Sequence, residues 1–265
     1  MSPQRVGVAD GPALVSVRGL SKRFGALTAL REVDLDIRAG EVLALLGDNG
    51  AGKSTFIKVL AGAHPPSEGQ IAMAGTPITF SSPKDASDAG IATIFQELAL
   101  SENLSIAENV FLGRELVTRV AGLPFLRRAE MKSRVTALLA ELEAHIADPD
   151  APVGSLSGGQ RQAVAICRAL NLDARLIIMD EPTAALAVAE TRKVLGLTRR
   201  LAERGCAVVL ISHNLVDVFE VADRMIVFRR GRKIAERRRE ATTSEEIVSL
   251  ITGAHPDARA LESTA

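Results

Sequence analysis

The chain has 265 residues, 47% of them hydrophobic, and its 32 lysines and arginines balance 32 aspartates and glutamates to a formal charge of zero. That apolar content excludes wholesale disorder and suits one generous domain, while the lack of a basic excess argues against a dedicated nucleic-acid binder. Cys167 and Cys206 stand far apart, with no CxxC or Cys/His spacing, and read as thiols in a reducing compartment, not as a disulfide or metal framework.

Residues 1–13 are polar and punctuated by Gly and Pro, without the apolar centre of a signal peptide, so a flexible leader is expected. No stretch approaches the apolar length of a membrane span, which implies a cytoplasmic protein that meets the membrane only through a partner. Two apolar-rich segments, Leu14–Val17 and Leu30–Ile37, open the fold. In the second, Val33, Leu35 and Ile37 alternate with charged residues as in a half-buried strand. Glu41–Leu46 is a near-continuous apolar run, expected as a strand covered on both faces. It leads through a Gly-rich turn into a helix from about Lys53 to Ala61. Gly69–Met73 and Pro77–Thr79 form an expected short hairpin, and Ile91–Phe95 a further strand.

From about Leu98 to Val153 strand signals fade. Met131, Val135, Leu138, Leu139 and Leu142 make one apolar stripe at helical spacing. After Gly154 the alternation returns: a helix near Gln160–Leu172, a strand Leu176–Met179, a helix near Val188–Glu203 and a strand Ala207–Ile211. Leu215–Val221 then leads to Met225–Phe228 and a turn at Gly231. The expected fold is α/β, a mostly parallel sheet with an antiparallel β N-terminal part and a helical insert at about 98–153. The domain would span 14–252, with 253–265 a loose tail.

Gly47-Asp48-Asn49-Gly50-Ala51-Gly52-Lys53-Ser54, followed by Thr55, matches the P-loop pattern and falls between a buried strand and a helix. Glycines let backbone N–H groups converge on phosphate oxygens, and the positive end of the following helix adds to that anion site. Lys53 is placed to reach the β and γ phosphates of a nucleotide and the Ser54 hydroxyl to ligate Mg²⁺. Leu176–Met179 ends in Asp180 and Glu181; beside a P-loop, one such carboxylate holds the metal, and Glu181 is a candidate proton acceptor from attacking water. Ser157-Gly158-Gly159-Gln160, taken alone, is an ordinary loop before a helix.

In its position between the helical insert and the Asp180 strand, Leu156–Gln162 resembles the signature peptide of ABC ATPases, and the motifs follow in that family's order over roughly Val15 to Ile251. The resemblance implies a P-loop NTPase core, ATP with Mg²⁺ as cofactors, and ATP hydrolysis. It identifies Phe24 as the residue that stacks on adenine, although Tyr is more frequent there. Gln96 becomes the glutamine that touches metal and attacking water and links the core to the insert. His213, in Ile-Ser-His-Asn, becomes the switch histidine that contacts the γ-phosphate, joining Glu181, Lys53 and Gln96 as catalytic candidates. Ser54, Gln96 and Asp180 become the metal set. Ser157, Gly158, Gly159 and Gln160 would serve the ATP of a second copy in a head-to-tail dimer, and the insert would receive a helix from an integral membrane permease.

One departure from the family pattern is Ala187, where most members carry an Asp that relays between paired sites. The texture of Phe95–Leu98, Ile106–Gly113, Glu181–Leu186 and Val218–Arg224 resembles importers of ribose, xylose and fructose, in their one-domain branch. A secreted sugar-binding protein is then an indirect partner, and the chain would sit on the inner face of the cell membrane. An exporter ATPase, a non-hydrolysing sensor, or an ATPase acting on ribosomes or nucleic acid are the competing readings. The last rests only on Arg229, Arg230, Arg232, Lys233, Arg237, Arg238 and Arg239, which with Glu236 are expected to form a solvated hairpin face.

Overall fold

The computed structural model describes residues 12–258 apart from 122, 145 and 147. Most of the expected leader and the end of the expected tail, residues 1–11 and 259–265, lie outside the described residues.

Strands β1 (Ala13–Phe24) and β2 (Leu27–Arg38) form a long antiparallel hairpin, followed by β3 (Val42–Leu46), all five residues of which are buried. The first strand runs well past Val17, through Lys22 and Arg23, because β2 and a later strand supply hydrogen bonds on both of its edges. Helix α1 (Lys53–Leu60) leads to the hairpin β4 (Glu68–Met73) and β5 (Thr76–Ile78), then to α2 (Pro83–Asp88), opened by a capping box on Ser82, and β6 (Ile91–Ile94). The insert holds α3 (Ile106–Phe111), the hairpin β7 (Val117–Val120) and β8 (Leu123–Leu126), and α4 (Arg128–Glu141). Next come α5 (Gly158–Asn171), β9 (Leu176–Asp180), α6 (Val188–Glu203), β10 (Ala207–Ile211) and α7 (Leu215–Val221). The hairpin β11 (Arg224–Arg229) and β12 (Arg232–Arg238), then α8 (Ser244–Thr252), complete the described elements.

The central sheet has the order β12-β11-β3-β10-β9-β6, parallel except for the edge strand β12. The strand period sorts its residues to two faces. Val42, Ala44 and Leu46 join Ile177, Met179, Val208 and Leu210 in one core with the insert and α5, α6 and α7. Leu43 and Leu45 join Ile178, Val209 and Ile211 in a second core with α1 and the four-stranded antiparallel sheet β2-β1-β4-β5. Burial on both faces explains why the central strands read as unbroken apolar runs.

Three expectations differ from what is observed. The insert is not wholly helical: β7 and β8 pair antiparallel, and their sequences, VTRV and LPFL, lack the one-sided alternation that marks a half-buried strand because all eight residues are exposed. In the apolar stripe, Met131, Val135, Leu139 and Leu142 are buried but Leu138 only half so. The expected tail begins packed: Ala258 is buried, and Asp257 pairs with Arg237 at 2.6 Å. Of the basic residues of the last hairpin, Arg232 faces Glu32, Lys233 faces Glu236 and Arg237 faces Glu246, while Arg229 and Arg239 donate to the carbonyls of Ile251 and Phe219. Buried Arg224 joins Glu41 and Glu236 across the end of the sheet.

Candidate functional site

Four adjacent parallel strands, β3, β10, β9 and β6, end on the same edge of the central sheet. Each exit carries candidate residues: Gly47–Thr55 after β3, His213 two residues past β10, Asp180 and Glu181 at the end of β9, and Gln96 two residues past β6. This carboxyl edge is where α/β sheets place ligands. The sheet order therefore gathers residues spread over more than half the chain.

The loop after β3 has a backbone that only glycine permits at two points. At Gly47, with φ 147, an added Cβ would lie 2.3 Å from the Phe228 carbonyl oxygen. At Gly52, the N-cap of α1 with φ 105, it would lie 2.9 Å from the Ala29 carbonyl oxygen. The loop is braced from behind: the Gly231 N–H donates to Ala51 and the Arg31 N–H to Gly231. Lys53 Nζ folds over the loop and donates to the carbonyls of Gly47 (2.5 Å) and Asp48 (3.0 Å). Burial pushes the Lys53 pKa down, while the charges of Glu181, Asp48 and Asp180 oppose it. Ser54 is exposed in the first turn of the helix. The ammonium group, the loop's backbone and the helix N-terminus together suit the binding of an anion.

Burial, and next the neighbouring Glu181 charge, push the Asp180 carboxyl above its ordinary pKa, with Lys53 and Lys58 opposing. Two acids crowded beside one lysine favour a further cation. Among the described residues there is no group of three or more His, Cys, Asp or Glu that could hold a metal alone. The oxygen donors Asp180, Ser54 and Gln96 fit a hard ion such as Mg²⁺, which takes one or two carboxylates and fills its shell with water and phosphate oxygens.

Glu181 departs from the strand with φ 52, a left-handed backbone uncommon for a non-glycine residue, and its N–H donates to the Ile211 carbonyl of β10. This bend brings Glu181 Oε2 to 2.9 Å from His213 Nδ1, on a histidine whose side chain is 81% exposed. Behind the pair, buried Asp217 accepts from the Thr183 hydroxyl (2.8 Å) and the Asn214 amide (3.0 Å), tying the loop after β9 to the loop after β10. The sequence reading missed Asp217. Its only signal was its place three residues after Asn214, the cap of α7.

Ser157 caps α5 in a reciprocal box: its hydroxyl accepts from the Gln160 N–H and its own N–H donates to Gln160 Oε1. Gly158 abuts the loop after β9, since an added Cβ would lie 2.5 Å from Leu186. Glu190, in the first turn of α6, leans on this peptide. The Ser157 hydroxyl, followed by the Gly159 and Ala187 N–H groups, holds its carboxyl below the usual range. A cleft of about 430 Å³ separates the Gln96–Glu102 segment from α5 and the loop after β9, and Gln96, Glu181, Gly158 and Gln162 line it. The buried Gln162 Nε2 has no hydrogen-bond partner. Arg168 of α5 holds the Gln96–Glu102 segment by donating to the carbonyls of Leu98 and Ala99.

The structure thus brings Gln96, Glu181 and Gly158 to one cleft, and Glu181 to His213, but none of Gly47–Thr55 lines that cleft. Phe24 stands at the end of β1, 43% exposed, with His64 edge-on at 5.3 Å and Lys22 Nζ 5.0 Å from the ring centre. Neither companion was singled out from the sequence.

Residues 30–184 match the family described as "ABC transporter". The chain is 47% identical to the xylose/arabinose import ATP-binding protein XylG of Sulfolobus acidocaldarius, over 90% of this chain and 94% of that protein. It is 48% identical to the fructose import ATP-binding protein FrcA of Rhizobium meliloti, over 91% and 94% respectively. Among solved structures it resembles the dimeric, post-hydrolysis ATP-binding cassette MJ0796 bound to ADP and Pi, with a TM-score of 0.69 and 26% identity over 86% of this chain and all of that one.

Proposed function

The chain belongs to the ABC transporter family of ATP-binding proteins, and from that premise we propose that it hydrolyses ATP to drive import of a monosaccharide through a membrane permease. The observation that carries the chemistry is the row of four strand ends, with Glu181 and His213 in contact beside the strand that feeds the P-loop. The class of solute rests on the import proteins matched over nearly their whole length.

In this reading Gly47–Thr55 surround the phosphates. Lys53 exchanges its two loop carbonyls for β and γ oxygens, which restores the solvation that burial removes. Phe24 stacks on adenine through its exposed face. Ser54, Asp180 and Gln96 hold Mg²⁺, which when bound neutralises developing phosphate charge. Glu181 takes the proton of the attacking water, and His213 both steadies that carboxylate and meets the γ-phosphate. A second copy closes head to tail, so that Ser157, Gly158, Gly159 and Gln160 of one chain complete the site of the other. The surface near Glu97–Ser101 receives a cytoplasmic helix of the permease, and a secreted binding protein delivers the sugar from outside. The chain then works on the inner face of the membrane, in keeping with the absence of any helix among the described residues long and apolar enough to cross it.

Reconstitution in vesicles with a candidate sugar permease tests this. Wild-type protein should support ATP-dependent uptake of a pentose or hexose, whereas Glu181→Gln should bind ATP, accumulate as a dimer and lose uptake and hydrolysis by about 10²–10⁴-fold. Uptake that persisted in Glu181→Gln would overturn the assignment.

A further inference from the structure

The hairpin β7–β8 carries the densest group of exposed large apolar side chains in the described structure: Val117, Val120 (57%), Leu123 (63%), Phe125 (52%) and Leu126. The register pairs Val117 with Leu126, Thr118 with Phe125, Arg119 with Pro124 and Val120 with Leu123. Paired residues share a face and the faces alternate along a strand. Val117 and Leu126 therefore lie on one face, and Val120, Leu123 and Phe125 on the other. Both faces are open to solvent. An isolated two-stranded hairpin is marginal in water, and exposed apolar surface of this density marks a contact site.

Two observations say what covers it. A protein surface laid against one face would leave the apolar residues of the other in water, whereas a medium that surrounds the hairpin covers both. The charge pattern is also one-sided in a chain that is neutral overall. Residues 120–126 carry no charge, while Arg114, Arg119, Arg127 and Arg128 flank them against the single acid Glu115. Arg114, Arg127 and Arg128 make exposed ion pairs with Asp88, Glu130 and Glu108, contacts weak enough to exchange, and Arg119 has no acidic partner among the described residues. An apolar tip within a basic collar matches the boundary between acyl chains and anionic headgroups.

We propose that this hairpin is a membrane-surface anchor: its apolar tip enters the headgroup region of an anionic bilayer while Arg119 and the flanking arginines meet lipid phosphates. The contact adds a direct lipid attachment to any held through a permease. It does not depend on which solute is carried.

The chain contains no Trp, so Phe125→Trp supplies a single fluorescent reporter. Titrated with permease-free vesicles of phosphatidylcholine and phosphatidylglycerol in equal parts, its emission should shift to the blue, and much less so with phosphatidylcholine alone. In co-sedimentation, Leu123→Asp with Phe125→Asp should weaken binding about tenfold or more. Arg119→Glu should weaken it several-fold, and more so at low salt. Basal ATP hydrolysis should be unchanged in each variant, which confirms that the fold is intact. Failure of the wild type to bind anionic vesicles would overturn the proposal. So would undiminished binding by the double Asp variant, and so would an emission shift seen only when permease is present, which would assign the hairpin to a protein contact.

Discussion

The carboxyl edge of the central sheet and the insert between Leu98 and Leu156 are held by different mixtures of bonds. At the edge, the strands that deliver Lys53, His213, Glu181 and Gln96 are locked by backbone ladders, and even the Glu181 N–H continues the pattern onto Ile211. The insert has backbone bonds of its own, Val153 to Leu104 and Gly154 to Glu102, but its entry segment is gripped by side chains. Arg168 holds Leu98 and Ala99, and the fully buried Asn109 accepts from the Ser101 N–H and donates to the carbonyls of Ser101, Leu104 and Ser105. Ladders fix a reacting group to a fraction of an ångström, as chemistry requires. Side-chain ties can be released one at a time, as a moving part requires. The proposed reaction centre thus rests mainly on backbone ladders, and the entry segment of the insert on side-chain ties.

The largest effect should come from the edge. Lys53→Ala removes the cation of the proposed phosphate cradle, and ATP turnover should fall by at least about 10²–10³-fold, as for loss of one preorganised electrostatic contact. Lys53 bonds only its own loop, so circular dichroism should be unchanged. Phosphate release near the wild-type rate would mean that the cradle is not the site of reaction.

A smaller effect should come from the insert. Arg168→Met keeps the apolar stem but releases the two carbonyls, at a stability cost of about 1–3 kcal/mol. Hydrogen exchange at Leu100–Leu104 should accelerate while amides of β9 and β10 stay protected, and basal hydrolysis should fall by no more than a few-fold because Arg168 bonds none of Lys53, Asp180, Glu181 or His213. If both regions loosened together, the separation of edge from insert would be false.

The same contrast explains what could be read from the sequence. The edge was legible because strands buried on two faces are apolar without interruption, so β9, β10 and the start of α6 fall where their patterns place them. The P-loop was legible because its glycines answer to local backbone geometry. Asp217 was not, since its partner Thr183 lies 34 residues away and only the adjacency of β9 and β10 unites them. Arg168 is 69 residues from Ala99, and an arginine on a helix carries no mark of the carbonyl it will find. The hairpin β7–β8 escaped because exposure on both faces erases the alternation by which strands are recognised.

The smallest predicted effect lies where the two regions touch, at Ala187. This residue is the N-cap of α6, with the extended backbone of a cap (φ −66, ψ 153) but no side chain able to accept from the helix. Half of a capping box is already present, because the Ala187 N–H helps hold the Glu190 carboxyl below its usual range. Ala187→Asp would supply the missing acceptor for the N–H of Ala189 or Glu190 and so complete the box. A cap is worth about 1 kcal/mol, which in a domain of this size raises Tm by roughly 2–4 °C. The new carboxylate also stands near Glu190, and that repulsion works against the gain. Since Glu190 in turn contacts the Ser157 hydroxyl and Gly159 N–H, the substitution fixes the signature peptide to α6 more firmly. Differential scanning fluorimetry should therefore find Tm raised in the absence of nucleotide, with hydrolysis changed by no more than a few-fold. A fall in Tm would mean that repulsion between the two acids outweighs the cap, and that alanine at this position is the more stable choice.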